Sequence, residues 1–152
     1  MSEPTVGWAV LLGMLALGPV RAETPPETVT LTGEVVMLTA ALKPLKIAFD
    51  AGPIAQQIVI RAEDGALTPL LSDDASRALF VDDRLRNRAT EIKARRFPGI
   101  PYVQVVSIRV ADHGQLRTPE YYCEICTISV RFPQTCPCCQ GPMELRMRPE
   151  SR

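Results

Sequence analysis

Five cysteines fall within seventeen residues near the end of the chain: Cys123-Glu-Ile-Cys126, nine further residues, then Cys136-Pro-Cys138-Cys139-Gln-Gly-Pro. Thiolates are soft, anionic ligands, and two C-x-x-C turns facing each other deliver four of them to one point. In each turn the chain reverses tightly, so both sulfurs point inward and backbone amides point at sulfur. Two such turns supply four sulfurs at tetrahedral angles, about 2.3 Å from a Zn2+ ion. The expected metal ligands are Cys123, Cys126, Cys136 and Cys139, because Cys136 with Cys139 keeps the x-x interval. Cys138, inside the second turn, either replaces Cys136 or stays free. Gly141 is expected to take the positive φ that closes the second turn.

Other sulfur chemistry competes with this reading. Two disulfides would leave Cys138 over, and an odd cysteine count fits a pure disulfide framework poorly. Iron, copper(I) or a redox-active dithiol are the remaining options. A catalytic C-x-x-C normally opens a helix in a thioredoxin-like βαβ setting. Here Thr127–Phe132 (TISVRF) and Met143–Met147 (MELRM) read as strands leaving the two turns. Neither pair is followed by His, which excludes covalent haem attachment. Four sulfur ligands leave no position for a water, which catalytic zinc requires, so the expected cofactor is one structural zinc per chain. Over about residues 120–148 the pattern resembles zinc ribbons and rubredoxin-like domains, from which Cys138 is a departure. So short a segment cannot bury a stable core alone, and metal binding would supply the missing free energy.

Elsewhere the chemistry is sparse. His113 is the only histidine and lies in the turn Asp112-His113-Gly114, so no two-histidine site can form. No G-x-S-x-G, H-E-x-x-H or phosphate-binding glycine loop occurs, and no catalytic residue is expected. Arg84–Phe97 holds six bases against one acid. Within it, Arg95 and Arg96 beside Phe97 could stack on a base or a sugar. The plainer reading is a solvated edge whose arginines pair with Asp73, Asp74, Asp82 and Asp83. Neutral net charge argues against a nucleic-acid partner. The charge is uneven, with three bases against eight acids (−5) over residues 23–75 and thirteen against eight (+5) over residues 76–152. The two halves are expected to lie together.

These residues need a scaffold. With 46% apolar residues but only 5% aromatic, the core must come from Val, Ile, Leu and Ala, and fourteen prolines argue for short elements. Val6–Val20 is apolar apart from Gly and Pro, too short for a membrane span but long enough for the apolar region of a secretory signal. Val20-Arg21-Ala22 suits a cleavage site, so residues 1–22 are expected to be a signal peptide of a periplasmic or cell-envelope protein. An uncleaved segment would instead anchor the chain in a membrane. Residues 23–28 read as a linker.

Strands are then expected at Val29–Leu38, Gln56–Ala62, Ala66–Leu71, Thr90–Phe97 and Tyr102–Val110. Glu63-Asp64-Gly65 turns a hairpin, and Thr39–Pro53 reads as a long connection. Ser72-Asp73-Asp74 should cap a helix through Ala75–Leu79, and Asp82-Asp83 a second turn over Arg84–Arg88. The order of strand, hairpin, helix and two strands resembles an OB fold, which implies a mainly β chain: a five-stranded barrel over residues 29–117, then a zinc ribbon over residues 118–149. OB folds commonly bind ligands at the loop between strands four and five, here Arg95–Pro101. The whole resembles exported bacterial proteins with a signal segment, such a barrel and a cysteine ribbon, a resemblance that carries no activity. The expected function is an exported, non-enzymatic binding or scaffold module whose partner would be another envelope protein. The alternatives are an envelope thiol-redox or metal-handling protein, or an OB-type binder of nucleic acid or oligosaccharide.

Overall fold

A computed structural model describes residues 25–149. The expected signal segment, and the start of the linker after it, lie outside the described residues. The chain is mainly β: eight strands form an open antiparallel sheet, joined by three short helices. In chain order the elements are β1 (Glu27–Met37), α1 (Leu38–Leu42), α2 (Ala51–Ile54), β2 (Ile58–Arg61), β3 (Leu67–Pro69), α3 (Arg77–Val81), β4 (Ala89–Arg96), β5 (Val103–Asp112), β6 (Gln115–Cys123), β7 (Ile128–Val130) and β8 (Glu144–Arg148). Across the sheet the strands run β3-β2-β1-β4-β5-β6-β7, with β8 on the other side of β6.

The first strand serves two neighbours. From Glu27 to Glu34 it pairs with β4, and from Glu34 to Met37 with β2. Gly33 sits where the partner changes, and its missing side chain lets the Arg61 carbonyl come close over β1. Alternation then decides the faces. Val35 faces the main core with Ile58, Ile60, Leu70, Leu79, Leu85, Ile92 and Val110, while Val36 faces the other side with Val59 and Ala41. That second cluster explains the segment expected to be a plain connection over Thr39–Pro53. It is built instead from α1, a 3-10 turn at Lys43–Leu45 and α2, and α1 covers Val36 and Val59. Five residues are too few to show helical periodicity, so only burial of Ala41 against the sheet reveals the element.

Between β3 and β4 the capping chemistry is local. Ser76 donates its amide to Asp73 Oδ1 and accepts the Asp73 amide at its own Oγ, both at 3.0 Å, which satisfies donors at the start of α3. Asp82 Oδ1 accepts the Arg84 amide at 3.0 Å and so starts the 3-10 turn Asp83–Leu85.

Two expectations about the sheet need correction. A closed five-stranded barrel does not form. The edges of β3 and β5 meet at one parallel bridge, Leu70 with Val103, and one further bond from the Leu71 amide to the Val103 carbonyl at 3.0 Å. β3 has only three residues and ends on Pro69, which has no N–H to extend a ladder. The second correction concerns Asp112-His113-Gly114, read as the end of a strand. It is a hairpin turn with φ of 47° at His113 and 78° at Gly114, the geometry of a two-residue loop with both positions left-handed. The chain therefore returns at once as β6, a strand that Pro119 had hidden. β6 pairs with β5 only over Gln115–Arg117, then with β8 over Thr118–Tyr122 and with β7 over Tyr121–Cys123. Residue 117 thus falls inside a continuous strand shared by both parts of the sheet.

Candidate metal centre

Both cysteine turns hang from the sheet through strands. Cys123 ends β6 opposite Ile128, and Cys136 precedes β8 by a short loop. The two turns share one backbone design. In the first, the Thr127 amide donates to the Cys123 carbonyl at 2.8 Å, with Thr127 at φ 55°. In the second, the Gln140 amide donates to the Cys136 carbonyl at 2.9 Å, with Gln140 at φ 59°. The positive φ therefore falls on the residue directly after each second cysteine, and not on Gly141 as expected. Gly141 is required for space: a Cβ there would stand 3.3 Å from Cys139 Sγ. Its carbonyl also accepts the Cys136 amide at 2.9 Å, which closes the turn.

The sulfurs of Cys123, Cys126, Cys136 and Cys139 all lie within 4.8 Å of one another, and those of Cys123 and Cys139 are 3.6 Å apart. Four thiolates around a tetrahedral zinc sit about 3.8 Å from each other, as Zn–S bonds of about 2.3 Å require. A disulfide would need about 2.05 Å, and none of the five cysteines is in one. The donor set is all sulfur and could hold a soft or borderline divalent cation.

The electrostatics of the cluster are uneven. The Cys136 thiol is held down to about 7, first by the Cys139 amide and then by the Cys138 amide, against burial. Cys126 is pushed well up, chiefly by the thiols of Cys138 and Cys139. At Cys123 the Cys126 amide pulls down, but burial and the thiols of Cys136 and Cys139 outweigh it and the value is raised. Crowded thiols of this kind resist becoming several thiolates at once. A dication inverts that by supplying the compensating charge.

A polar clamp behind the cysteines fixes β6. Tyr121 is buried, and its hydroxyl donates to Asp82 Oδ2 at 2.6 Å. Arg84 holds the same carboxylate through Nε and Nη2, at 2.9 and 2.6 Å. Asp82 is held down to about 2, first by the Arg84 guanidinium and then by the Tyr121 hydroxyl and Arg84 amide, against burial. Tyr121 is pushed up by burial and then by Asp82. Two cation–π contacts add to the fit: Arg77 lies 4.6 Å over the Phe132 ring and Arg146 lies 3.8 Å over Tyr122, where it also pairs with Glu124. Sequence reasoning placed the two tyrosines against the larger sheet but missed the carboxylate that receives one of them. Its only signal was Asp82 doubling as a cap.

The clamp gives a pH prediction. The Asp82 value in the folded protein lies below its ordinary value, so its contribution is fully present above about pH 4 and is lost as pH falls toward 2, on the order of 2 kcal/mol. Tyr121→Phe should cost about 1–2 kcal/mol and move this acid shoulder upward. Urea unfolding at several pH values measures both, and an unshifted acid shoulder would show that the hydroxyl does not hold the carboxylate.

Other residues singled out from the sequence sit apart from this arrangement in the fold. Arg95 and Arg96 close β4 opposite Thr28 and Glu27, and Arg96, Phe97, Pro98 and Ile100 line a shallow depression of about 440 Å3. Arg86 donates to the carbonyls of Leu79 and Phe80, both at 3.0 Å, and so serves the core segment beneath it. His113 is exposed on its turn. Comparison with protein-family models, curated proteins and solved structures returns no match.

Proposed function

We propose that the chain is an exported, non-enzymatic binding or scaffold module in which Cys123, Cys126, Cys136 and Cys139 hold one structural zinc ion. The observation that carries this reading is the convergence of four sulfurs within 4.8 Å from two turns of the same backbone design. Zinc is favoured among divalent ions because it takes four thiolates without strain or redox change. The residue at the foot of each turn belongs to a strand or loop that packs on the sheet, so an ion there would tie β6, β7 and β8 together. Tyr121, Val130, Phe132, Met143, Leu145 and Met147 from this segment pack against the main core. The ion would thereby stiffen part of the larger sheet as well.

The OB-like reading of the first five strands draws on two features. β1 pairs with both β2 and β4, and β3 touches β5 in parallel. Such partly open barrels are binding folds, which is why a scaffold or binding role is preferred to catalysis. Export rests on the apolar run Val6–Val20 with Val20-Arg21-Ala22 after it. In an oxidising compartment an ion on the sulfurs would also guard them against disulfide formation.

Elemental analysis of the intact purified protein, with a count of reactive thiols, tests the reading. One zinc per chain with at most one reactive thiol is expected. No metal together with two reducible disulfides would instead support thiol chemistry.

A further inference from the structure

The cluster has a buried pole and an open one. Cys123 and Cys136 are 1% and 0% exposed, whereas Cys126 is half-buried and Cys139 is exposed. The fifth cysteine, Cys138, is exposed at the open pole. Its thiol is in hydrogen-bonding contact with that of Cys126, across from its own turn. Four coordination positions are therefore served by five sulfurs, and the surplus one stands beside the half-buried ligand of the opposite turn.

We propose that Cys138 is a substitute ligand for Cys126, so that a bound thiophilic dication exchanges between the two at its solvent-facing corner. This rests on the metal-site reading above and adds to it. Cys123 and Cys136 are closed off by the sheet and by the Gly141 carbonyl on the Cys136 amide, so they keep the ion in place. The exchange is redox-neutral. The metal–sulfur bond to Cys126 breaks, the bond to Cys138 forms, and the Cys138 proton moves to the Cys126 sulfur, already within hydrogen-bond reach. The coordination number and the charge of the site stay the same. Pro137 fixes φ just before Cys138, which limits how far the second turn must move. The consequence is a site that holds one ion firmly at two sulfurs yet opens at a third, which is what transfer of the ion to or from an external thiol requires. A purely structural site would have no use for the additional sulfur.

Titration with Zn2+ and with Co2+, whose sulfur-to-metal absorption reports the number of thiolates, tests the exchange in the full chain. Cys126→Ser should still bind one ion with a four-sulfur spectrum. Cys126→Ser with Cys138→Ser together should drop to a three-sulfur spectrum or lose the ion. Iodoacetamide labelling of the zinc-loaded wild-type chain needs no variant. It should place one label per chain, divided between Cys126 and Cys138. A three-sulfur spectrum or lost metal in Cys126→Ser, or label confined to Cys138, would overturn the proposal. A wild-type chain that binds neither ion would overturn the metal-site reading itself, which is a separate result.

Discussion

Cys136→Ser is expected to abolish metal binding and to release β7, β8 and the second half of β6, while β1, β4 and β5 stay paired. Cys136 is fully buried and its amide is used to close its own turn, so no neighbouring sulfur can take its place. Structural zinc contributes apparent binding free energies of about 10–16 kcal/mol in small zinc-binding peptides. The apolar contacts that remain in so short a segment offset only a fraction of that. Amide hydrogen exchange is the measurement. Protection at Tyr121–Cys123, Ile128–Val130 and Glu144–Arg148 should fall to that of a fraying segment. Protection along Leu31–Ile92 and Ile92–Ile108 pairs should persist. A strong chelator on the wild-type chain should give the same pattern. Unchanged protection in both would mean that packing alone holds the ribbon, and the sulfurs would then have no structural role.

The second large effect lies far from the cysteines. Gly33→Ala should destabilise the chain by about 3 kcal/mol, because two costs fall on one residue. Its φ of +155° is one that L residues rarely adopt, and its Cβ would overlap the Arg61 carbonyl and approach Ala62. The neighbour is backbone inside the β1–β2 ladder and cannot rotate away as a side chain can. Gly65→Ala is the natural control. It also sits at positive φ, +85°, but opens onto empty space, so only the conformational cost of about 1–2 kcal/mol applies. Urea unfolding of both variants should show a clearly lower midpoint for the Gly33 change, with the slope against denaturant preserved. Equal losses at the two sites would mean that β2 can shift, and the close approach at Gly33 would not be what shapes β1.

The parts of this protein that the amino-acid sequence determined are the ones whose cause is local. The β1 segment shows alternation and β-branched residues over ten positions. The turn at Glu63-Asp64-Gly65 needs one glycine at positive φ and has it. Asp73 and Asp82 can reach only amides a few residues on, so they act as caps wherever the segment lies. The cysteine turns belong here too. The x-x interval and the following left-handed residue make each turn, and the chain between them is short enough to bring two such turns face to face. Even so, the sequence suggested Gly141 as the left-handed residue. Glycine's tolerance of that conformation is only a permission, and the shared hydrogen bond assigns it to Thr127 and Gln140.

Tertiary structure decided what depends on partners distant in the chain. α1 exists because Val36 and Val59 leave an apolar patch on the second face of the sheet. β6 overrides its proline because both neighbours, β5 and β8, recruit it from opposite ends. Whether the sheet closes depends on the contact between Leu70 and Val103, which no short window contains. Tyr121 finds Asp82 across thirty-nine residues. The same holds for the contact between Cys138 and Cys126: spacing brings the turns together, but which sulfurs end buried and which face solvent follows from how the ribbon packs on the sheet. Local patterns settle conformations because neighbouring residues always meet. Burial and pairing are settled by the whole, since the free energy of each contact depends on the loops that must close before it forms.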